Sequence, residues 1–510
     1  LTTISLKGLK NLKEIYWQNS GVTTIENLQE CVALEILDLS NTRRIQNLSL
    51  QGLGNLKELD VSSSNVGNIS NLNDCKALEK LNLSYTEKLP EIVLQSLGNL
   101  RTLNLRSSQV VNLKYLNECK KLETLNLTNA YKLVQISLQG LDNLTTLDLS
   151  GVKVLTIEDL NECKKLESLD VSDTDNLQAI SLEELIKLKQ LNLSNTKVTV
   201  NNLDKCKALE SLDLSGTDKL DAIPSETLAQ LKKLTLSKVN ITSTDKLVNV
   251  CKGLETLNLS NTQSLLQVSL EKLKNLKELN LSRSSVEAIN NLDKYTSLEI
   301  LNLSNTKKFQ TISCQGLENL KKLNLSSSKI KTIDNLSTCT KLEILDLSDT
   351  EHLLDISLQG LEKLVNLKEL YLAGSNIETT QQLSECKELE ILDLSNTRRL
   401  KTIVLVGLKS LRELYLSEII VATIANLNEC KSLEILDLSD TENLQNISLQ
   451  GLEKLKELDL SASKVVDIFN LNVCKVLEKL NLTDTTLNRS SKEAVKKFEE
   501  ECQECEVVGL

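Results

Sequence analysis

The string LxxLxL recurs along almost the whole chain, and its spacing limits what this sequence can fold into more than any other feature. The first leucine of the string falls at Leu12, Leu34, Leu56 and onward to Leu188 at an interval of 22 residues. The series continues from Leu209 to Leu477 and makes 22 repeats in all. Leu209 comes 21 residues after Leu188, Leu254 comes 23 after Leu231, and Leu367 comes 25 after Leu342, where LEKLVNL carries about three extra residues. Residues 1–11 read as the rear of an earlier repeat. In LxxLxL the fourth and sixth residues point to one side of a short strand and the fifth to the other, so each repeat supplies one strand with one apolar face. A single repeat cannot bury that face, whereas stacking in register can. The expectation is one continuous parallel sheet from Leu12 to Leu482, with the segment after position nine returning along the other wall as turns or short 3-10 pieces.

Composition agrees with an array rather than a string of globular domains, since 16 Gly, 2 Pro and 2% aromatics are poor material for several aromatic-centred cores. The net charge of -11, from 59 basic and 70 acidic residues, offers no general attraction to nucleic acid or to anionic lipid. No run approaches the roughly eighteen uncharged apolar residues of a membrane span, so no nucleic-acid partner and no membrane insertion are expected. The sequence opens at Leu1 with neither a basic nor a continuous apolar leader and contains no Met, and is read as a fragment or processed form. A single His argues against most acid/base catalysis and against His-based metal sites, so neither an enzyme nor a cofactor is expected.

A second period of 44 lies over the first. Odd repeats usually carry Lys or Arg at position two (Lys13, Lys57, Arg101), and even repeats carry Glu there (Glu35, Glu79, Glu123), so each Glu is expected between two cations on neighbouring strands. Such exposed pairs contribute only roughly tenths of a kcal/mol each. Cysteines follow the same rhythm from Cys31, Cys75 and Cys119 to Cys474, with Tyr295 replacing one and Cys314 lying off the column. Members of the column stand two repeats, about 10 Å, apart, beyond the roughly 7 Å reach of a disulfide. They occupy a slot that is Leu in alternate repeats, such as Leu53 and Leu97, which reads as a small buried hydrophobe. So many unpaired thiols fit a reducing compartment.

On these motifs the chain resembles the leucine-rich repeat superfamily over essentially its whole length. The 22-residue spacing and the tail IxxLxxC/LxxL are similar to the protein phosphatase 1 regulatory-subunit class, whose repeats internalins share, and long protist-type arrays look alike. The resemblance implies an α/β solenoid: a horseshoe or arc with one long parallel sheet on the concave side and turns or short 3-10 segments on the convex side. Residues 1–482 are assigned to the solenoid and 483–510 to a C-terminal helical cap. One departure is position nine, usually Asn in the family and here mostly Thr or Ser, as at Thr42, Ser64 and Thr86.

Candidate chemical sites are few. Cys502 and Cys505 form a CxxC, but Val495, Phe498, Cys502 and Cys505 also make one stripe of a helix, which favours a buried capping face over metal or redox chemistry. His352 reads as a solvated turn residue, and Trp17, in place of a position-six Leu, reads as core. Several NxS/T sequons arise because Asn stands at position five before LS or LT, as at Asn82, Asn126 and Asn324, where a glycan would obstruct the sheet.

The variation that carries information is on the inner face. Position three is Ile at Ile344, Ile391 and Ile435, position five is Tyr at Tyr371 and Tyr415, and Asp346, Asp393 and Asp437 border them. Solvent-facing Ile and Tyr on adjacent strands are what an interface core uses, although β-branched residues also simply suit strands. The reading is a non-enzymatic protein-recognition scaffold or adaptor, cytoplasmic, binding a protein partner through a basic segment at these eight residues. The alternative is a cell-surface or secreted adhesin-like protein.

Overall fold

The computed structural model describes residues 2–217, 223–353 and 360–509. The chain divides into two compact units, Leu1–Val239 and Asn240–Leu510. In the first, a parallel sheet runs from the Glu14–Tyr16 strand to the Lys233–Thr235 strand. Position four of each repeat faces position four of the next, as in Ile15↔Leu37, Leu37↔Leu59 and Leu212↔Leu234. In the second, the same register runs from the Thr256–Asn258 strand to the Lys479–Asn481 strand, through pairs such as Leu257↔Leu279, Leu345↔Leu370 and Leu458↔Leu480. Each unit is therefore a parallel β-solenoid of 22-residue coils. Positions one, four and six (Leu34, Leu37 and Leu39, for example) are fully buried and form its core.

The turn that ends each strand explains two sequence preferences. Position eight is left-handed, with φ of 55° at Asn41, 57° at Asn305 and 55° at Asn396, a conformation that Asn and Gly adopt at low cost. Position nine then points inward. Thr86 Oγ1 donates to the carbonyl of Leu83 at 2.6 Å, and Thr262 Oγ1 to that of Leu259 at 2.7 Å, so a buried hydroxyl closes the turn within its own repeat. Most even repeats close the turn in this way in place of the family's Asn.

The other wall contains more than turns. Odd repeats carry a 3-10 turn, such as Leu28–Glu30, and two-stranded parallel ribbons join an even repeat to the next odd one, as Asn47–Ser49 does with Asn68–Ser70. The period of 44 thus appears here as alternating paired and unpaired edges. The LEKLVNL insertion forms an additional 3-10 turn at Leu361–Lys363, with Leu361 and Leu364 buried and Val365 exposed. Two short α-helices interrupt this wall: α1 (Ser225–Gln230), in the 22-residue repeat that begins at Leu209, and α2 (Asp245–Val250), in the 23-residue repeat that follows it.

After the last repeat comes α3 (Arg489–Glu501), whose first turn is capped by Asn488 through Oδ1 accepting from Ser491 N at 2.9 Å. Val495 and Phe498 are buried on its inner face. The helix stops before Cys502, which is half-buried, while Cys505 is buried in the turn beyond it. A final strand, Glu506–Val508, then pairs with Lys479–Asn481. Trp17 is half-buried, not core: its strand pairs only with Ile36–Asp38 among the described residues, so no preceding coil of the sheet covers the ring. His352 is exposed.

Candidate binding face on the long sheet

Positions three and five point away from the core, and the register places them in two rows across the strands of the second unit. The position-three row reads Ile344, Glu369, Ile391, Glu413, Ile435. The position-five row reads Asp346, Tyr371, Asp393, Tyr415, Asp437. All eight residues singled out from sequence lie on this one face, and all are half-buried. Isoleucine shares a strand with aspartate, and tyrosine shares a strand with glutamate, because the superperiod assigns the two pairings to even and odd repeats.

Glu369 and Glu413 were missed by the sequence reading, and they fix the rings. Tyr371 Oη donates to Glu369 Oε2 at 3.0 Å, and Tyr415 Oη donates to Glu413 Oε2 at 2.9 Å. Partial burial, followed by these carboxylates, pushes both phenols up to about 12. Each ring is therefore a neutral donor, locked to its own strand. The signal was present in sequence as ELY, with the two side chains on the same side of one strand.

The three aspartates are not equivalent. In each, Oδ1 accepts from the backbone N–H two residues on: Ser348 at 3.0 Å, Ser395 at 2.9 Å and Ser439 at 2.9 Å. Asp346 Oδ2 also accepts from Asn324 Nδ2 at 2.9 Å, which cross-links two coils. Asp393 and Asp437 flank Tyr415, and among the described residues neither Oδ2 has a protein partner.

Charge beside the face is already matched. Glu434 accepts from Arg412 Nε at 2.7 Å and from Lys456 Nζ at 2.6 Å, and these two hydrogen bonds hold its carboxyl at about 2. Lys368 is spent on Glu343 at 3.0 Å. The same position-two ladder recurs in the first unit, where Glu35 lies 2.6 Å from Lys57 and 3.4 Å from Lys13. At positions three and five from Ile344 to Asp459, in contrast, no Lys or Arg occurs.

Other places offer less. In the first unit a cleft of about 330 Å³ on the long sheet is lined by Tyr16, Asp38, Glu58, Asp60 and Lys80, but Lys80 is already paired with Glu58 at 2.7 Å. On the opposite wall, an open polar cleft of about 560 Å³ separates the Asn112–Lys114 and Ile136–Ser137 strands. Position-five asparagines have structural tasks: Asn82 Nδ2 donates to Asp60 Oδ2 at 2.8 Å, and its Oδ1 accepts from Ser84. No group of three or more metal-ligating side chains comes together among the described residues, and none of their helices is long and apolar enough to cross a membrane.

No family model and no curated protein matches the chain. Among solved structures, the leucine-rich repeat protein LIC12759 of Leptospira interrogans is similar, with 20% identity and a TM-score of 0.45 over 88% of this chain and 95% of that one. The functional domain of InlJ from Listeria monocytogenes has 16% identity and a TM-score of 0.43, covering 86% of this chain and 76% of its own. The ectodomain of the Arabidopsis thaliana receptor kinase GASSHO1/SCHENGEN3 has 18% identity and a TM-score of 0.41, covering 95% and 81%. The LxxLxL repeat at 22-residue spacing, with its strands in parallel register, makes each unit a parallel solenoid of leucine-rich repeats.

Proposed function

We propose that the chain is a non-enzymatic recognition scaffold, an adaptor that binds a basic segment of a protein partner on the long-sheet face of its second unit. The observation that carries this reading is the alternation of Ile344, Ile391 and Ile435 with Tyr371 and Tyr415, bordered by carboxylates that no cation of the face neutralises. Interfaces place apolar and aromatic anchors at their centre and charge at their rim, and an acidic rim selects a basic partner by steering and by register. A reducing, cytoplasmic setting is the companion proposal, supported by the column of buried free thiols.

The test is selection from a displayed peptide library by the full chain, repeated with Tyr371→Ala and Tyr415→Ala. Each substitution is expected to weaken selected binders by more than about 1 kcal/mol, with thermal stability nearly unchanged because neither ring is part of the core. Peptides that bind both variants as well as the parent would place recognition elsewhere.

A further inference from the structure

Within the position-five row from Asp346 to Asp459, two aspartates keep an open carboxylate oxygen among the described residues. Asp346 is closed by Asn324 Nδ2, and the next aspartate of the row, Asp459, is closed by Asn481 Nδ2 at 3.0 Å. Asp393 and Asp437 lie between them, each with Oδ1 pinned by a backbone N–H and Oδ2 without a protein partner among the described residues. They are separated by the Tyr415 strand and so stand two strand spacings apart, about 9.6 Å. Tyr415 lies between the two oxygens, and Tyr371 flanks Asp393 on its other side. Ile391 and Ile435 share strands with Asp393 and Asp437, so each open oxygen has an apolar shelf beside it.

That arrangement suits a cationic side chain twice over. The aliphatic stem of Arg or Lys packs on the isoleucine, while its head reaches the carboxylate beside a tyrosine face. The spacing then selects the backbone of the ligand. In an extended strand, side chains on the same side recur every second residue, about 6.6 Å apart, or every fourth, about 13 Å apart, and neither fits. In a polyproline II helix, residues i and i+3 lie on the same side about 9.3 Å apart, which does. We infer that Asp393 and Asp437 are paired seats for two cationic side chains, three residues apart, on a partner segment in polyproline II conformation that runs across the strands. This rests on the recognition reading above and specifies its ligand.

The test uses the full chain and synthetic capped proline-rich peptides carrying two arginines at i,i+2, at i,i+3 or at i,i+4, together with a single-arginine peptide, with binding read by fluorescence anisotropy. The i,i+3 peptide is expected to bind about tenfold more tightly than the other spacings, and added salt to weaken it. Asp393→Asn and Asp437→Asn keep the oxygen that accepts from Ser395 or Ser439, so folding is preserved. Each is expected to reduce i,i+3 binding about tenfold, to the level of the single-arginine peptide, while Asp148→Asn in the first unit leaves it unchanged. Equal affinity for all spacings, no binding of any peptide, or insensitivity to both second-unit substitutions overturns the inference. If library peptides are still lost with Tyr415→Ala while no spacing is preferred, the paired seats are wrong and the recognition face stands. If Tyr415→Ala is also without effect, both fail.

Discussion

Asp393 stands directly opposite Tyr415 on the neighbouring strand, and the two are held by different strands' own chemistry: the aspartate by the backbone N–H of Ser395, the phenol by Glu413. Neither needs the other to keep its position. The face is therefore organised before any ligand arrives, which lowers the ordering cost that binding must overcome.

Titration of the phenols checks this arrangement. Tyr371 and Tyr415 are pushed up to about 12 by burial and then by Glu369 and Glu413, and buried Tyr295 is pushed up to about 12 chiefly by burial. A folded-state value above the ordinary value of about 10 means the stabilisation is present below pH 10 and is lost as pH rises towards 12. Tyrosinate absorbance is expected to show a late phase from these three residues, diminished in Tyr371→Phe and in Tyr415→Phe. A late phase identical to the parent's in both variants would show that neither phenol is raised by its burial and its glutamate.

The two hydroxyl types at position nine are expected to respond oppositely to removal. Thr306 Oγ1 donates to Leu303 O at 2.5 Å, whereas the buried Ser328 Oγ of the next repeat has no partner among the described residues. Val152 and Ile419 fill the same slot in other odd repeats and are fully buried. Thr306→Val should therefore cost about 1 kcal/mol, and Ser328→Val should be neutral or stabilising. Urea midpoints of the two variants, compared with the parent, decide it; equal losses would mean Ser328 is bonded after all.

Acid sensitivity should centre on the position-two ladder. The Glu434 carboxyl, held at about 2 by Arg412 and then Lys456, lies below the ordinary glutamate value of about 4.3. Its contribution is present above pH 4.3 and disappears as pH falls towards 2. Glu434→Gln is expected to flatten the pH dependence of stability in that window and leave it unchanged near neutrality. An unchanged slope would mean another carboxylate carries the effect.

Much of this was legible because the array repeats. The strands, the buried leucines and the ion-pair ladder follow from spacing alone, since any error of one residue would turn a leucine out into water. The opposite wall was harder to read: segments such as NLS at Asn47–Ser49 are three residues long, and nothing in so short a string distinguishes a ribbon from a turn. Within the face, Asp346, Asp393 and Asp437 look alike in sequence. They differ because Asn324 is the neighbour of Asp346, whereas Tyr371 and Tyr415 flank Asp393. The distinction belongs to the adjacent coil, not to the residue.

The cysteine column gives the last expectation. Burial pushes Cys75, Cys119, Cys163, Cys386, Cys430 and Cys474 up to about 12, so each combines no exposed surface with almost no thiolate at neutral pH. A thiol reagent applied to the native protein should therefore label half-exposed Cys502 first and the column slowly, with all 13 cysteines reacting after denaturation. The neighbouring Cys339 thiol, and then burial, push the buried Cys314 thiol up as well. Elsewhere the two-repeat separation of about 10 Å forbids bridging. Fast native labelling of several columnar thiols would contradict the packing, and a mass spectrum of unreduced protein showing bridges among Cys31, Cys75 and Cys119 would contradict the register itself and favour an oxidising compartment.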